Sequence, residues 1–394
     1  MEPKPRKRRH LQKSESLDCG KQQIASDSLT DSDEVMDTDA LHVSTQTHVT
    51  TEEKSSQATP PSMLSAKIEN VILKNKMQTK NEKSEVSFSF ETCSKDDKKF
   101  SFYTGLHILH FMTIWNFLGD ITNKLSYWGK ARKNETVTPT KRTGPKRKLS
   151  PINQLFLTLM KLRRGYCNKD LAYRFNVSDS YVSTIVITWI QLLFHEFQTL
   201  KYAMFPTRQK MKKNIAPCFR PYKNIRVIVD CTEIFVQTPQ NFSKQANLCS
   251  NYKHHHTYKV LVGLSPTGAI CYLSDAFEGA KSDKEVFLDS DIMSMLNPGD
   301  QVMADRGFTI EQELAAKGVS LNIPPFLHGR KRLTPQEEVD TKRIARCRIH
   351  VERVIERLKK YRVINGVVPL HLGPLVSQIV FVVGCLVNFQ KPIC

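Results

Sequence analysis

Before residue 200 the apolar positions follow helical spacing, and after residue 224 they run in short β-branched stretches. Ile108, Phe111, Trp115 and Leu118 repeat at threes and fours. They predict a helix led in by Phe102-Tyr103-Thr104-Gly105-Leu106 and ended by Gly119. A cleaner helix starts at Ser150, a good N-cap with Pro151 at the first helical position, and Gly165 stands where a C-terminal cap belongs. Its apolar face is Ile152, Leu155, Phe156, Leu159 and Leu162. Further helices are expected over Asn168–Phe175 and from Asp179 to about Phe194. Leu171, Ala172, Phe175, Val177, Val182, Ile185 and Val186 have the spacing of a helix-turn-helix, with small Ala172 at the helix contact and Val177 plugging the turn. Any three-helix bundle would share that pattern. In the helix-turn-helix reading, polar Ser180, Tyr181, Ser183 and Thr184 face the groove of a duplex.

From Ile225 the period changes. Ile225–Asp230, Tyr258–Leu264 and Ala269–Phe277 read as strands, with the turn Ser265-Pro266-Thr267-Gly268 between the last two. Ser282–Leu296 reads as a helix, Gln301–Asp305 and Val319–Ile323 as strands, and about Pro335 to Tyr361 as a long helix. The order is that of an α/β domain with a mixed sheet. The expected division is a disordered tail over 1–98 and a helical segment with basic linker over 99–148. The helix-turn-helix takes 149–200, a second basic linker 201–224, and the α/β domain 225–392. Few aromatics and many Ser, Thr, Asp, Glu and Lys put the tail below the burial needed to fold, with order starting near Phe100.

Charge sharpens this picture. Lys and Arg total 58 against 39 Asp and Glu, a formal net charge of +19 in 394 residues. A surplus of that size favours a polyanion; nucleic acid accounts for it best, while an anionic membrane or a ribosomal role would give the same number. Lys146, Arg147 and Lys148, just before the helix-turn-helix, are placed to track phosphates. The ten cysteines contain no C-x-x-C pair, against a zinc ribbon or disulfide framework and for a reducing compartment. Lys4–Arg9 is a basic cluster compatible with import into the nucleus. The apolar stretch Leu375–Phe389 is too short to span a bilayer and reads as a buried element, so no membrane role is expected.

The candidate chemistry lies in carboxylates at element ends, where α/β sheets assemble sites. Asp230 closes the apolar run Val227-Ile228-Val229, and Asp305 closes Val302-Met303-Ala304. Two acids on neighbouring strand ends repel, and a divalent cation removes that cost; hard oxygen ligands suit Mg²⁺ or Mn²⁺. On the long helix, Ile344, Cys347, Val351, Val354, Leu358 and Tyr361 form the packing face. Glu352 stands one position off it and offers a third acid, with Arg348 and Lys359 on the same flank.

Five short motifs occur in order: Asp230-x-Thr232-Glu233, Ser250-Asn251-Tyr252-Lys253, Gly279-x-x-Ser282-Asp283, Ala304-Asp305-Arg306-Gly307-Phe308 and His350-Val351-Glu352-Arg353. Together they are similar to the DDE superfamily endonucleases of Harbinger-type transposases, and the helix-turn-helix resembles the portion that precedes the catalytic domain there. The resemblance covers most of Phe100–Pro392. It implies a ribonuclease H-like fold in which Asp230, Asp305 and Glu352 bind two divalent metals and cut DNA phosphodiester bonds by in-line displacement. It also implies double-stranded DNA as partner and a homo-oligomer on DNA. Relatives often carry a zinc-dependent DNA-binding domain whose ligands are missing here, so a separate DNA-binding partner protein would supply end recognition.

Other residues compete for roles. Glu233 suits a turn as well as the site, Asp283 suits a helix cap, and Glu356 is the rival third acid. His254-His255-His256 suits an exposed strand lead-in. Lys259 and Arg306 suit either a phosphate contact or a solvated rim. The rival functional class is a non-catalytic nuclear DNA-binding or adaptor protein that keeps the fold.

Overall fold

Local capping fixes most helix ends in the computed structural model, which describes residues 69–74, 88–128, 147–222, 224–327 and 329–391. Ordered structure reaches back beyond the expected start near Phe100. Ser89 and Thr92 form a capping box for α1 (Phe90–Cys93), and α2 (Asp97–Thr104) follows from an Asp96 cap. Three ring contacts explain the earlier start: Phe88 stacks on Phe156 with centroids 6.0 Å apart, and Phe90 packs on Phe100 and Phe111 at 5.8 and 5.1 Å. α3 (Ile108–Leu118) ends at Gly119, as its spacing predicts. Residues 1–68 and 75–87 of the expected tail and most of the first basic linker, including Lys4–Arg9 and Lys146, lie outside the described residues.

α4 (Pro151–Arg164) has Ser150 as N-cap and a left-handed Gly165 as C-cap. α5 (Asn168–Phe175) ends on Asn176, also left-handed at φ 51°, and α6 (Asp179–Gln198) starts from the Ser178 cap, four residues longer than expected at its far end. The two axes turn by 103°, within the range of a helix-turn-helix. Ala172 and Val182 are buried, and Val177 packs against the same core and donates its N–H to the Ala172 carbonyl. Gln154 in α4 is fully buried; its Oε1 accepts from Trp189 Nε1 at 2.9 Å, and Tyr127 Oη bonds its amide at 3.0 and 2.8 Å.

The second basic linker is instead docked structure. α7 (Lys201–Met204) and α8 (Arg208–Lys213) lie in it. Arg208 Nε reaches the buried Asp300 at 2.7 Å, and Arg226 covers the Phe205 ring at 4.5 Å. Cations here neutralise a buried carboxylate, which is why the stretch packs down.

The sheet has the order β3-β2-β1-β5-β6, with β4 pairing β2. β1 (Ile225–Phe235) runs antiparallel to β2 (Thr257–Leu264), which runs antiparallel to β3 (Ile270–Leu273) and β4 (Phe277–Glu278). β5 (Gln301–Met303) and β6 (Ser320–Asn322) continue in parallel with β1. α9 (Phe242–Leu248), which the sequence pattern did not reveal, lies between β1 and β2. The expected strand Ala269–Phe277 divides into β3 and β4 where Ser274 turns its hydroxyl to accept the Leu261 N–H. The expected helix Ser282–Leu296 divides into α10 (Asp283–Asp289) and α11 (Ile292–Met295), because Ser290 is extended. α12 (Glu311–Ala315) precedes β6. The long helix is α13 (Pro335–Lys359), followed by α14 (Arg362–Asn365) and α15 (Val376–Val387).

Alternation along β1 assigns the two sheet faces. Val227 and Val229 join the core containing Val286, Phe287 and Leu314 of α10 and α12. Ile228 and Ile234 join the core beneath α13, with Val351, Val354 and Leu358, and α15. That second core runs on without a break into the helix-turn-helix, where Phe194 of α6 meets Phe381 of α15 edge-on at 5.5 Å. The stretch Leu370–Val387 is long and apolar enough to cross a membrane, yet it supplies α15, whose Ile379, Val380, Val382 and Val383 are buried in this core. The observed architecture is the expected one: a mixed α/β sheet with flanking helices, preceded by a helix-turn-helix.

Candidate active site

Asp230 does not close its strand. β1 continues five residues further, to Phe235, paired with β2 alone, whereas its parallel neighbour β5 stops at Met303. The register Ile228↔Met303 sets the geometry. Asp230 and Asp305 each stand two residues beyond that pair; strand periodicity turns Asp230 toward the α13 face, and Asp305, past the end of β5, meets the same face through Arg348. The two acids are thus in step at the point where the parallel pairing ends.

Burial pushes the Asp230 carboxyl up to about 6; nearby Arg348 and the Cys231 N–H, which donates to Oδ1 at 2.9 Å, act the other way, and Asp283 and Asp305 add repulsion. Asp305 Oδ1 accepts from the Arg306 N–H at 2.8 Å. From α13, Arg348 places Nη1 3.1 Å from Asp305 Oδ1 and Nη2 3.7 Å from Glu352 Oε1. The arginine side chain is 15% exposed, whereas the two acidic side chains are about half exposed, so the cation lies beneath them. One arginine therefore bears on all three acids. Lys359, on the same flank, has its pKa held down by burial and by Lys253, against the pull of Glu233 and Asp230.

The competitors resolve into distinct roles. Glu233 accepts from Ser250 Oγ at 3.0 Å and Thr257 Oγ1 at 2.9 Å, fastening β1 to the loop before β2. Asp283 is not the cap of α10: Ser282 is, in a capping box with Glu285. Asp283 pairs instead with the buried Lys259 at 3.2 Å, and Lys259 also donates to the Lys281 carbonyl, so this lysine is internal rather than on a rim. Glu356 pairs with Lys360 at 3.1 Å. His255 rests edge-on against Phe235 at 5.5 Å, while His256 bonds Thr238 at 3.2 Å, as parts of a strand lead-in. Gly279 has a steric cause: a Cβ there would lie 2.6 Å from the Thr257 carbonyl and 2.7 Å from that of Leu248.

The expected DNA-facing residues fare unevenly. Ser180 is exposed, but Tyr181, Ser183 and Thr184 are half-buried, and no residue from Tyr181 to Phe194 is exposed. Tyr181 buries its hydroxyl, and Thr184 donates its own back to the Ser180 carbonyl at 3.0 Å. Ser183 and Ile187 line a cavity of about 540 Å³ whose other wall is Arg362–Leu372 of the α/β domain. The cause is the shared core, which lays α6 against α15. Arg147 is also engaged: it donates to the carbonyls of Thr122 at 3.1 Å and Asn123 at 2.7 Å. Lys148 is exposed.

Three carboxylates with hard oxygens fit Mg²⁺ or Mn²⁺, and the raised pKa of Asp230 marks a buried charge without full compensation. Among the described residues no three His, Cys, Asp or Glu side chains already form a cation cage. Arg348 stands between Asp305 and Glu352.

Compared with known families, residues 229–388 match the DDE superfamily endonuclease, and residues 147–199 match the helix-turn-helix of DDE superfamily endonuclease. No curated protein matches the chain.

Proposed function

We propose that this chain, which carries a DDE superfamily endonuclease domain preceded by its helix-turn-helix, is a metal-dependent DNA endonuclease and strand transferase of the Harbinger transposase type, acting in the nucleus. The observation that carries the reading is the in-step placement of Asp230 on β1 and Asp305 two residues past the end of its parallel neighbour β5, with Glu352 on the helix packed over the same face. These three residues would hold divalent cations. When bound, such cations supply Lewis acidity toward an attacking oxygen and stabilise the leaving one.

The chain's own side chains do the rest. Arg348 and Lys359 set two cations beside the acids, so a phosphodiester enters without facing bare negative charge. Asp305 and Glu352 stay about half exposed, accessible to an arriving duplex. The half-buried state of α6 supports a division of labour. Duplex DNA is gripped through phosphates, a separate DNA-binding partner protein supplies end recognition, and two or more copies assemble on DNA.

The test uses the full chain with supercoiled DNA, transposon ends and Mg²⁺ or Mn²⁺. Asp230→Asn, Asp305→Asn and Glu352→Gln should each abolish nicking and leave DNA binding nearly intact, while Glu356→Gln stays active. An active Glu352→Gln beside an inactive Glu356→Gln would reassign the third acid. If the unaltered chain binds DNA and never cuts it, with any partner protein supplied, the non-catalytic adaptor reading replaces this one.

A further inference from the structure

Away from the three acids, a second surface concentrates positive charge. A cleft of about 410 Å³ is lined by Gly105, Leu106, His107 and His110 around the junction of α2 and α3, Arg163 at the end of α4, Arg357 and Lys360 at the end of α13, and Phe389–Lys391. No Asp or Glu lines it among the described residues. Two carboxylates stand at its margin: Glu356 takes Lys360 at 3.1 Å, and Asp97 takes His107 at 2.6 Å. Arg163, Arg357 and Lys391 have no carboxylate partner among the described residues.

The floor is built rather than incidental. Tyr361 is fully buried, and the Arg163 guanidinium lies over its ring at 5.1 Å. Arg163 Nη1 is buried with no hydrogen-bond partner among the described residues, a costly state that an anionic oxygen would relieve. Gly105 adopts a left-handed φ of 78°, and a Cβ there would press to 2.9 Å from Arg163 Cδ and 3.0 Å from Tyr361 Oη. The Tyr-Thr-Gly segment thus gives the arginine its seat. Arg357 and Lys360 follow Glu352 by five and eight residues on one helix, roughly 8 and 12 Å along its axis. That distance is about two to four base-pair steps along a duplex.

We propose that this cleft binds the phosphate backbone of the double-stranded DNA that flanks the bond to be cut. The inference rests on the DNA-cutting function proposed above. It adds a grip that belongs neither to the three acids nor to the helix-turn-helix.

The test compares duplex binding by the full chain across a salt series. Arg357→Gln, Lys360→Gln and Lys391→Gln combined should weaken binding and flatten the slope of log K against log [salt] by about 2–3, near 0.9 for each phosphate no longer neutralised. Lys210→Gln, Lys212→Gln and Lys213→Gln combined removes the same charge from exposed α8 and should change the slope by less than about 1. Should the first triple fail to fold, Lys360→Glu with Lys391→Glu alters only exposed side chains and should weaken binding by at least tenfold. Inorganic phosphate at millimolar concentration should not displace the duplex; displacement would mean a site for a free anion and overturn the proposal. Equal slopes for the two triples overturn it while leaving the DNA-cutting function standing. Absence of any duplex binding by the unaltered chain overturns both.

Discussion

Arg348 Nη1 lies 3.1 Å from Asp305 Oδ1, so a single ion pair ties the long helix α13 to the segment that follows β5. The same guanidinium reaches Glu352, one turn along, and holds down the charge cost at Asp230. The protein thus carries its own counterion in the site, and any divalent cation must share or displace it.

Replacing Arg348 with Gln separates these effects. With the arginine gone, the Asp230 titration midpoint should rise above its present value of about 6, since Arg348 is the chief group opposing burial there. Mg²⁺ should bind more tightly, because the competing cation for Asp305 and Glu352 is removed. Stability without metal should change by about 1 kcal/mol or less, as both carboxylates in the ion pairs are half exposed. Carboxyl NMR and titration calorimetry check the first two; weaker Mg²⁺ binding would contradict the competition.

Asp230→Asn should stabilise the metal-free protein at neutral pH. Its folded pKa, about 6, exceeds the ordinary 3.8, so the folded form holds the proton more tightly than the unfolded chain. Asp230 therefore subtracts stability as pH rises from about 4 to about 6, and the full cost applies above that window. The substitution should gain about 1–3 kcal/mol at pH 7.5 in EDTA and close to nothing at pH 4. Urea unfolding at the two pH values reads the difference, and a variant less stable than the parent at pH 7.5 refutes it.

Gln154→Ala should cost about 2–4 kcal/mol, because Trp189 Nε1 and Tyr127 Oη lose their partner inside the core. Thermal unfolding measures it, and a loss under about 1 kcal/mol would mean that water replaces the amide.

Gly279→Ala should disturb the loop that Glu233 fastens. The added methyl meets two backbone carbonyls that cannot yield as a side-chain tip would. A drop of about 2 kcal/mol or more is expected, together with faster amide exchange at Ser250 and Thr257. An unchanged exchange pattern would contradict it.

The helices α4 and α5 and the start of α6 were legible because each carries its own punctuation: Ser150 with Pro151, Gly165, Asn176 and Ser178. Asp230 and Asp305 stand out in the sequence because a carboxylate after an apolar run is conspicuous, and Glu352 because it borders the packing stripe of the long helix. The site's wiring was not. The Arg348–Asp305 pair is separated by 43 residues of sequence, and nothing local signals it. The length of β1 was hidden because its outer half pairs only with β2 and reads as polar, through Thr232 and Glu233. The burial of α6 was hidden because its facing surface comes from α15, almost 190 residues on, so groove-facing Tyr181, Ser183 and Thr184 could not be discounted from helical spacing alone. The stretch 201–224 looked like linker because charge was counted there without its buried partner, Asp300.

The hydrophobic core that passes from α4 and α6 into α15 and the sheet also constrains inheritance. A DNA-reading module joined by a loose tether can be exchanged like a cassette, and chimaeras of such parts fold. Here a cut between residues 200 and 225 would strip Phe194 from Phe381 and leave both halves with an open apolar wall. The two parts must therefore change together, by paired substitutions across their shared core or by substitutions on their outer surfaces, because neither can be traded whole.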